Sequence, residues 1–155
     1  MELKRRSVLK RLMAAVAGVA AAGSLASATE VEKDEKISRD VTNLQDVPLF
    51  AGSTQLGRLV FISGTGADAA SVHDIRKDTD FVLKKMEKRL IDAGSSMEKV
   101  LKVTVFLDDL ADFEGMNEIY KGRFGKNPPA RSTVAVAKGG IPGKSILEID
   151  CIAYV

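Results

Sequence analysis

Between His73 and Gly94 the apolar residues Val82, Met86, Leu90 and Ala93 recur at spacings of four, four and three, while Lys84, Lys85, Glu87, Lys88 and Asp92 fill the other side. That period predicts an amphipathic helix of about five turns, closed by Gly94 in the left-handed position that ends many helices. A helix with one apolar stripe has to bury it against another element. The following segment offers one. From Leu101 to Leu107 the chain alternates, with Lys102 and Thr104 on one side and Val103 and Val105 on the other, as a half-buried strand does. Helix packed on sheet is therefore the frame into which the remaining segments must fit.

Arg58 to Gly64 is a short, nearly continuous apolar block ended by glycine; a weaker strand candidate around Leu49 to Thr54 precedes it, with a turn signal at Gly57. Together they predict a hairpin whose second strand is buried. Ser95 and Glu98 have the spacing of a capping box. Asp109 and Asp112 suit the start of a second helix, with Phe113, Met116, Tyr120 and Phe124 on one stripe, ended at Asn127-Pro128-Pro129. Ala130 to Ala137 and Ile146 to Val155 read as two strands that pair as a hairpin across the turn Lys138 to Gly143. The expected fold is α+β, a five- or six-stranded sheet with two helices on one face. With 5% aromatic residues and no tryptophan, the other sheet face has to be covered from outside. Further copies of the chain would do so, which predicts a homo-oligomer.

The first 28 residues differ from the rest. A basic start (Lys4, Arg5, Arg6, Lys10, Arg11) leads into an apolar run from Leu12 to Gly23 and a small-residue stretch ending Ala26-Ser27-Ala28. This is the three-part pattern of an export signal, with cleavage expected after Ala28. Lys4 to Lys10 resembles the twin-arginine signal. The apolar run falls short of the roughly 20 residues that span a bilayer, so the mature chain is expected outside the cytoplasmic membrane without a membrane span. Residues 29–40 read as a polar lead-in and 41–155 as one domain. The overall charge of +2 comes from the signal, whose five basic residues against Glu2 leave a net −2 behind. Basicity is therefore no sign of a nucleic-acid partner. One cysteine and one histidine exclude an internal disulfide and a His/Cys metal cluster.

Two charges interrupt strand-like runs near the C-terminus, Arg131 and Glu148. Such charges need a partner or a purpose. An arginine at a strand start suits bidentate binding of a carboxylate, and a nearby carboxylate suits general base work. A structural ion pair between neighbouring strands is the plain alternative. Asp150 shares the Glu148 face and reads as a solvent-edge carboxylate. His73 reads as a surface residue, Cys151 as a small buried hydrophobe, and Gly139, Gly140 and Gly143 as a turn.

The segments Leu59 to Gly64, Asp92 to Val100, Val103 to Leu107 with Asp109, Asp112-Phe113, Met116 to Glu118 with Tyr120, and Pro129 to Val134 resemble, in order and spacing, the reactive intermediate deaminase family of RidA or YjgF type. The resemblance runs from about Val41 to Val155. It implies a chorismate-mutase-like α+β sandwich assembled as a trimer with clefts between subunits. By the same resemblance Arg131 grips the carboxylate of a 2-enamine or 2-imine made from an amino acid. Glu148 activates the water that releases ammonia and a 2-oxo acid. Ser63 and Gly64 stand where the family contacts substrate; Phe50 occupies a position often held by tyrosine, and Thr133 one where many members have cysteine. No metal or organic cofactor and no nucleic acid is implied. Two functions remain open, an exported imine deaminase and a non-catalytic protein of the same fold that binds a small carboxylate or a partner; a third, the ribonuclease or translation-inhibitor role of some family members, fits poorly with export and with the net −2 beyond residue 28.

Overall fold

The computed structural model describes residues 35–155; the expected export signal over 1–28 and the start of the lead-in lie outside the described residues. In chain order the elements are β1 (Ile37–Leu44), β2 (Val47–Leu56), β3 (Leu59–Gly66), α1 (Ile75–Asp92), β4 (Val100–Leu107), α2 (Phe113–Tyr120), β5 (Ala130–Ala135) and β6 (Leu147–Tyr154). The strands form one six-stranded mixed sheet in the order β1-β2-β3-β6-β4-β5. Every pairing is antiparallel except β4 with β5.

The helix expected from the Val82 to Ala93 stripe is α1. Asp74 caps it, its Oδ1 accepting from the backbone N–H groups of Arg76 and Lys77 at 3.1 Å. Gly94 closes it at a φ of 79°, with Ser95 N–H donating to the Leu90 carbonyl at 2.8 Å and Gly94 N–H to Ile91 at 2.9 Å. Val82, Leu83, Met86 and Leu90 are fully buried. They join one core with Val60 and Ile62 of β3, Val103, Val105 and Leu107 of β4, and Leu147, Ile149, Cys151 and Ala153 of β6. Met116 of α2 completes it. Burial of each such side chain contributes about 1.5–3 kcal/mol, and the whole set lies on one sheet face. The other face presents Leu56, Leu59, Phe61 and Val134, all at least 40% exposed.

Four expectations are corrected. Ile37 already begins β1, inside the stretch read as polar lead-in; this edge strand is exposed along nearly its whole length, so it carries no apolar alternation to betray it. The strands after Pro129 do not form a hairpin, because β4 lies between β5 and β6. The connecting segment crosses the end of β4, where Val136 N–H donates to the Leu107 carbonyl and Asp108 N–H to Ile146, both at 2.9 Å. The Ser95–Glu98 capping box does not form: Ser95 Oγ donates to the Tyr154 carbonyl at 2.7 Å, and the short 3-10 turn Met97–Lys99 starts after Ser96. Finally, α2 stops at Tyr120 rather than at Asn127. Lys121 leaves helical geometry with a ψ of 127°, and Gly122 follows at a φ of 80°, before the prolines have any say.

Candidate active site

Glu148 lies one residue inside β6, on the sheet face opposite Leu147 and Ile149. Its register partners are Gly66 on β3 and Phe106 on β4. The segment that crosses from β5 to β6 folds over it, so that Phe106, Val136, Gly140, Ile141, Pro142 and Glu148 line a concavity of about 240 Å³. Burial in this largely apolar setting pushes the Glu148 carboxyl above its ordinary range, and the negative charges of Asp150 and Asp68 push the same way. Its side chain rests against Gly64. A Cβ added there would overlap Glu148 Oε1 and lie 2.5 Å from its Cδ, so any side chain at this position displaces the carboxylate. Ser63 and Gly64 occupy an irregularity in the β3–β6 register between Ile62 and Thr65. Ser63 Oγ donates to the Ala51 carbonyl at 2.5 Å, tying β3 to β2 beside Phe50, whose ring is 55% exposed.

Arg131 has a different setting. It is the second residue of β5 and pairs with Val103, so its side chain shares the face that carries the core. There it packs against α2, with Cζ 4.6 Å from the centre of the Tyr120 ring and 5.7 Å from that of Phe113. Nη1 is 4.0 Å from Met116 Sδ. The aromatic faces favour the positive charge and hold the guanidinium without using up its donors on a carboxylate. Thr133, two residues on, points the same way, and its Oγ1 is buried without a hydrogen-bond partner among the described residues. Tyr120 Oη shares that condition. Burial raises the phenol to about 12, with Arg131 opposing and Cys151 adding to the rise.

Phe50, Ser63, Gly64 and Glu148 thus belong to neighbouring strands β2, β3 and β6, whereas Arg131 and Thr133 stand on the far edge strand. Three residues along β4 separate the partners of Arg131 and Glu148, Val103 and Phe106. With two strand spacings across, the backbones are on the order of 14 Å apart, and the side chains leave opposite faces. The structural ion pair between neighbouring strands is therefore absent. Within one chain the two groups do not form one site.

Other candidates take their plain readings. Cys151 is buried, and burial lifts its thiol to about 12, so it is no thiolate at neutral pH. His73 is exposed with a φ of 53°. No group of three or more possible metal ligands occurs among the described residues, nor does any helix there have the length and apolarity to cross a membrane. Sequence reasoning missed the walls around Glu148. Ile141-Pro142, an apolar pair inside a glycine-rich turn, was the available signal: Ile141 is only 6% exposed.

Comparison with known proteins places this geometry among relatives. The sequence profile of the family described as endoribonuclease L-PSP matches residues 42–155. The chain is 35% identical over 112 residues to a RutC family protein of Pyrococcus abyssi, covering 68% of this chain and 85% of that one. It is 35% identical over 109 residues to the human 2-iminobutanoate/2-iminopropanoate deaminase, covering 67% and 78%. Among solved structures, a Rid family protein of Yersinia pestis superposes with a TM-score of 0.69 at 27% identity, over 78% of this chain and 100% of that one. RidA of an Antarctic Psychrobacter gives 0.65 at 25% identity, over 76% and 99%.

Proposed function

Because the chain belongs to the endoribonuclease L-PSP family, which takes in the RidA and YjgF proteins, we propose that it hydrolyses 2-imino and 2-enamino acids to 2-oxo acids and ammonia. The observation that carries this reading is Glu148, a carboxylate with raised proton affinity in a small apolar concavity, the character of a general base. Water adds to the imine carbon as Glu148 takes its proton. Glu148 passes that proton to the nitrogen, giving the carbinolamine; it then takes the hydroxyl proton and delivers it to the nitrogen as the C–N bond breaks, so that ammonia leaves as the carbonyl forms. Arg131 supplies the fork for the substrate carboxylate and so orients the imine carbon toward the water. Ser63, the Gly64 backbone and Phe50 line the approach, with Thr133 beside Arg131. The scheme needs no metal or organic cofactor, since the imine is itself electrophilic.

In this reading the separation of Arg131 and Glu148 is bridged by a second copy, the β5 edge of one chain meeting the Glu148 end of the next. A homotrimer satisfies that need and covers Leu56, Leu59, Phe61 and Val134. Residues 1–28, with their basic start and Ala26-Ser27-Ala28 ending, support placement of the mature protein outside the cytoplasmic membrane. The ribonuclease activity in the family's name has less support here. The chain beyond residue 28 carries net −2, and its one histidine, His73, is exposed.

A second reading, a protein that binds small carboxylates without turnover, is favoured by Phe50, an exposed ring that offers no polar group at its position. One assay separates the two. An L-amino-acid oxidase generates 2-imino acids from several amino acids while imine decay and ammonia release are followed with and without the protein. Acceleration that Arg131→Ala removes supports the deaminase; no acceleration with any amino acid, from protein shown to be folded and oligomeric, leaves the binding protein.

A further inference from the structure

Glu148 has two acidic neighbours, and only one of them, Asp150, belongs to its own strand. The other, Asp68, sits in the turn after β3 with a φ of 48°, a backbone region that L residues enter rarely. Its carboxylate is wedged between two glycines: a Cβ at Gly143 would come 3.2 Å from Asp68 Oδ1, and one at Gly66 3.3 Å from it. Lys85, reaching across from α1, holds this arrangement. Its Nζ donates to Asp68 Oδ2 at 3.0 Å and to the Gly66 carbonyl at 3.1 Å. Gly66 is the register partner of Glu148, so one lysine touches both the backbone beside Glu148 and an acid that acts on it.

We propose that Lys85 is a positioning residue for Glu148: by bridging the Gly66 carbonyl and the Asp68 carboxylate it fixes the β3 rim of the concavity and holds a positive charge against the acid at that rim. This rests on the reading of Glu148 as the base. The groups that face Glu148 are few. Its own strand contributes Asp150, and the turn after β3 contributes Asp68 backed by Lys85. β3 presents the backbone of Gly64 and Gly66, β4 presents Phe106, and the segment leading into β6 presents Val136, Ile141 and Pro142. Among the described residues Lys85 is the cation in ion-pair contact with Asp68, while Arg89, also on α1, donates to Thr65 Oγ1 at 2.7 Å between Gly64 and Gly66. Lys85 is one-third exposed and Asp68 more so, so solvent screens the pair and its influence is moderate rather than large.

The sign follows from charge. With Lys85 removed, Asp68 acts on Glu148 uncompensated and its carboxyl holds its proton to higher pH; with Asp68 removed, it releases the proton at lower pH. The test is a titration of the Glu148 carboxyl by 13C NMR on the full chain, run beside the pH profile of kcat/KM for imine hydrolysis. We expect K85M to move the Glu148 midpoint and the acid limb of the profile up by about half a pH unit, and D68N to move both down by a similar amount, the size screened Coulomb interaction gives near a Debye length. The double variant returns close to the native midpoint, and K85R preserves it. K85Q keeps a polar end for the Gly66 carbonyl and carries the same test where K85M costs stability. A Glu148 midpoint unmoved by K85M and K85Q in folded protein overturns the proposal, whatever their turnover and whatever D68N does. Midpoints that move as expected in a protein without imine turnover keep the role of Lys85 and remove the deaminase reading instead.

Discussion

The surroundings of Glu148 on β6 and of Arg131 on β5 handle charge in opposite ways. Around Glu148 they work against ionisation: apolar walls, two acidic neighbours, and a carboxylate in the space that a side chain at Gly64 would fill. Around Arg131 the surroundings welcome charge, with the guanidinium over Tyr120 and Phe113 and paired with no carboxylate among the described residues. The first arrangement raises proton affinity, which is what a base needs. The second fixes a cation without neutralising it, which is what a carboxylate anchor needs. A pair built only for stability would have put the two charges together; here the fold keeps them apart, on opposite faces and on strands that do not pair.

If that division of labour is right, removing either group damages turnover in a distinguishable way. Glu148→Gln keeps the shape of the concavity and removes the base, and kcat for imine hydrolysis should fall by on the order of 100- to 1,000-fold with a smaller change in KM. Arg131→Ala removes a charged anchor worth about 1.5–3 kcal/mol, so the loss, roughly 10- to 150-fold in kcat/KM, should appear chiefly in KM. Steady-state kinetics on both variants decides. Equal kcat losses with unchanged KM would break the comparison, because both groups would then act on the chemical step.

A smaller effect probes the surroundings of Glu148 alone. Gly64→Ala places a methyl where the carboxylate lies, so either the side chain or the β3 irregularity must move. Thermal unfolding should show a loss of about 1–3 kcal/mol, the usual cost of overpacking. Activity should drop about tenfold or more as the base leaves its position. Combining Gly64→Ala with Glu148→Ala removes the collision, and the double variant should recover most of the stability lost by Gly64→Ala. Additive losses in that cycle would mean the two residues do not share the space.

How much of this was legible beforehand depended on whether a residue's surroundings were local. The stripe of α1, the alternation of β4 and β6 and the parity that sets Glu148 opposite Leu147 and Ile149 follow from near neighbours in sequence, and all were readable. β1 was not, because an exposed edge strand needs no apolar side. Nor was the insertion of β4 between β5 and β6, since two strands joined by a glycine-rich segment look like a hairpin until a third competes for the edge. That one error hid the face of Arg131: β5 alternates between exposed and half-buried residues with no apolar side, so only its parallel pairing with β4 reveals where the side chain goes. The residues around Glu148 were hidden for a similar reason, being gathered from β4 and from the segment that crosses its end.

The least disruptive change asks what the surroundings of Arg131 are made of. Tyr120 offers a ring 4.6 Å from the guanidinium and a buried hydroxyl that has no partner among the described residues. If the ring is what matters, Tyr120→Phe keeps the cation seated and removes only an unpaired polar group. Stability should then change by less than about 1 kcal/mol and toward a gain, since a buried unsatisfied hydroxyl is a cost, and kcat/KM should stay within about threefold. Tyr120→Leu removes the π face, worth about 0.5–2 kcal/mol, and KM should rise accordingly. Because burial holds the phenol at about 12, the hydroxyl stays protonated throughout a neutral assay, and pH does not confuse the comparison. Should Tyr120→Phe cost as much as Tyr120→Leu, the hydroxyl has a partner in the assembled protein, and the surroundings of Arg131 are polar after all, closer in character to those of Glu148 than the single chain suggests.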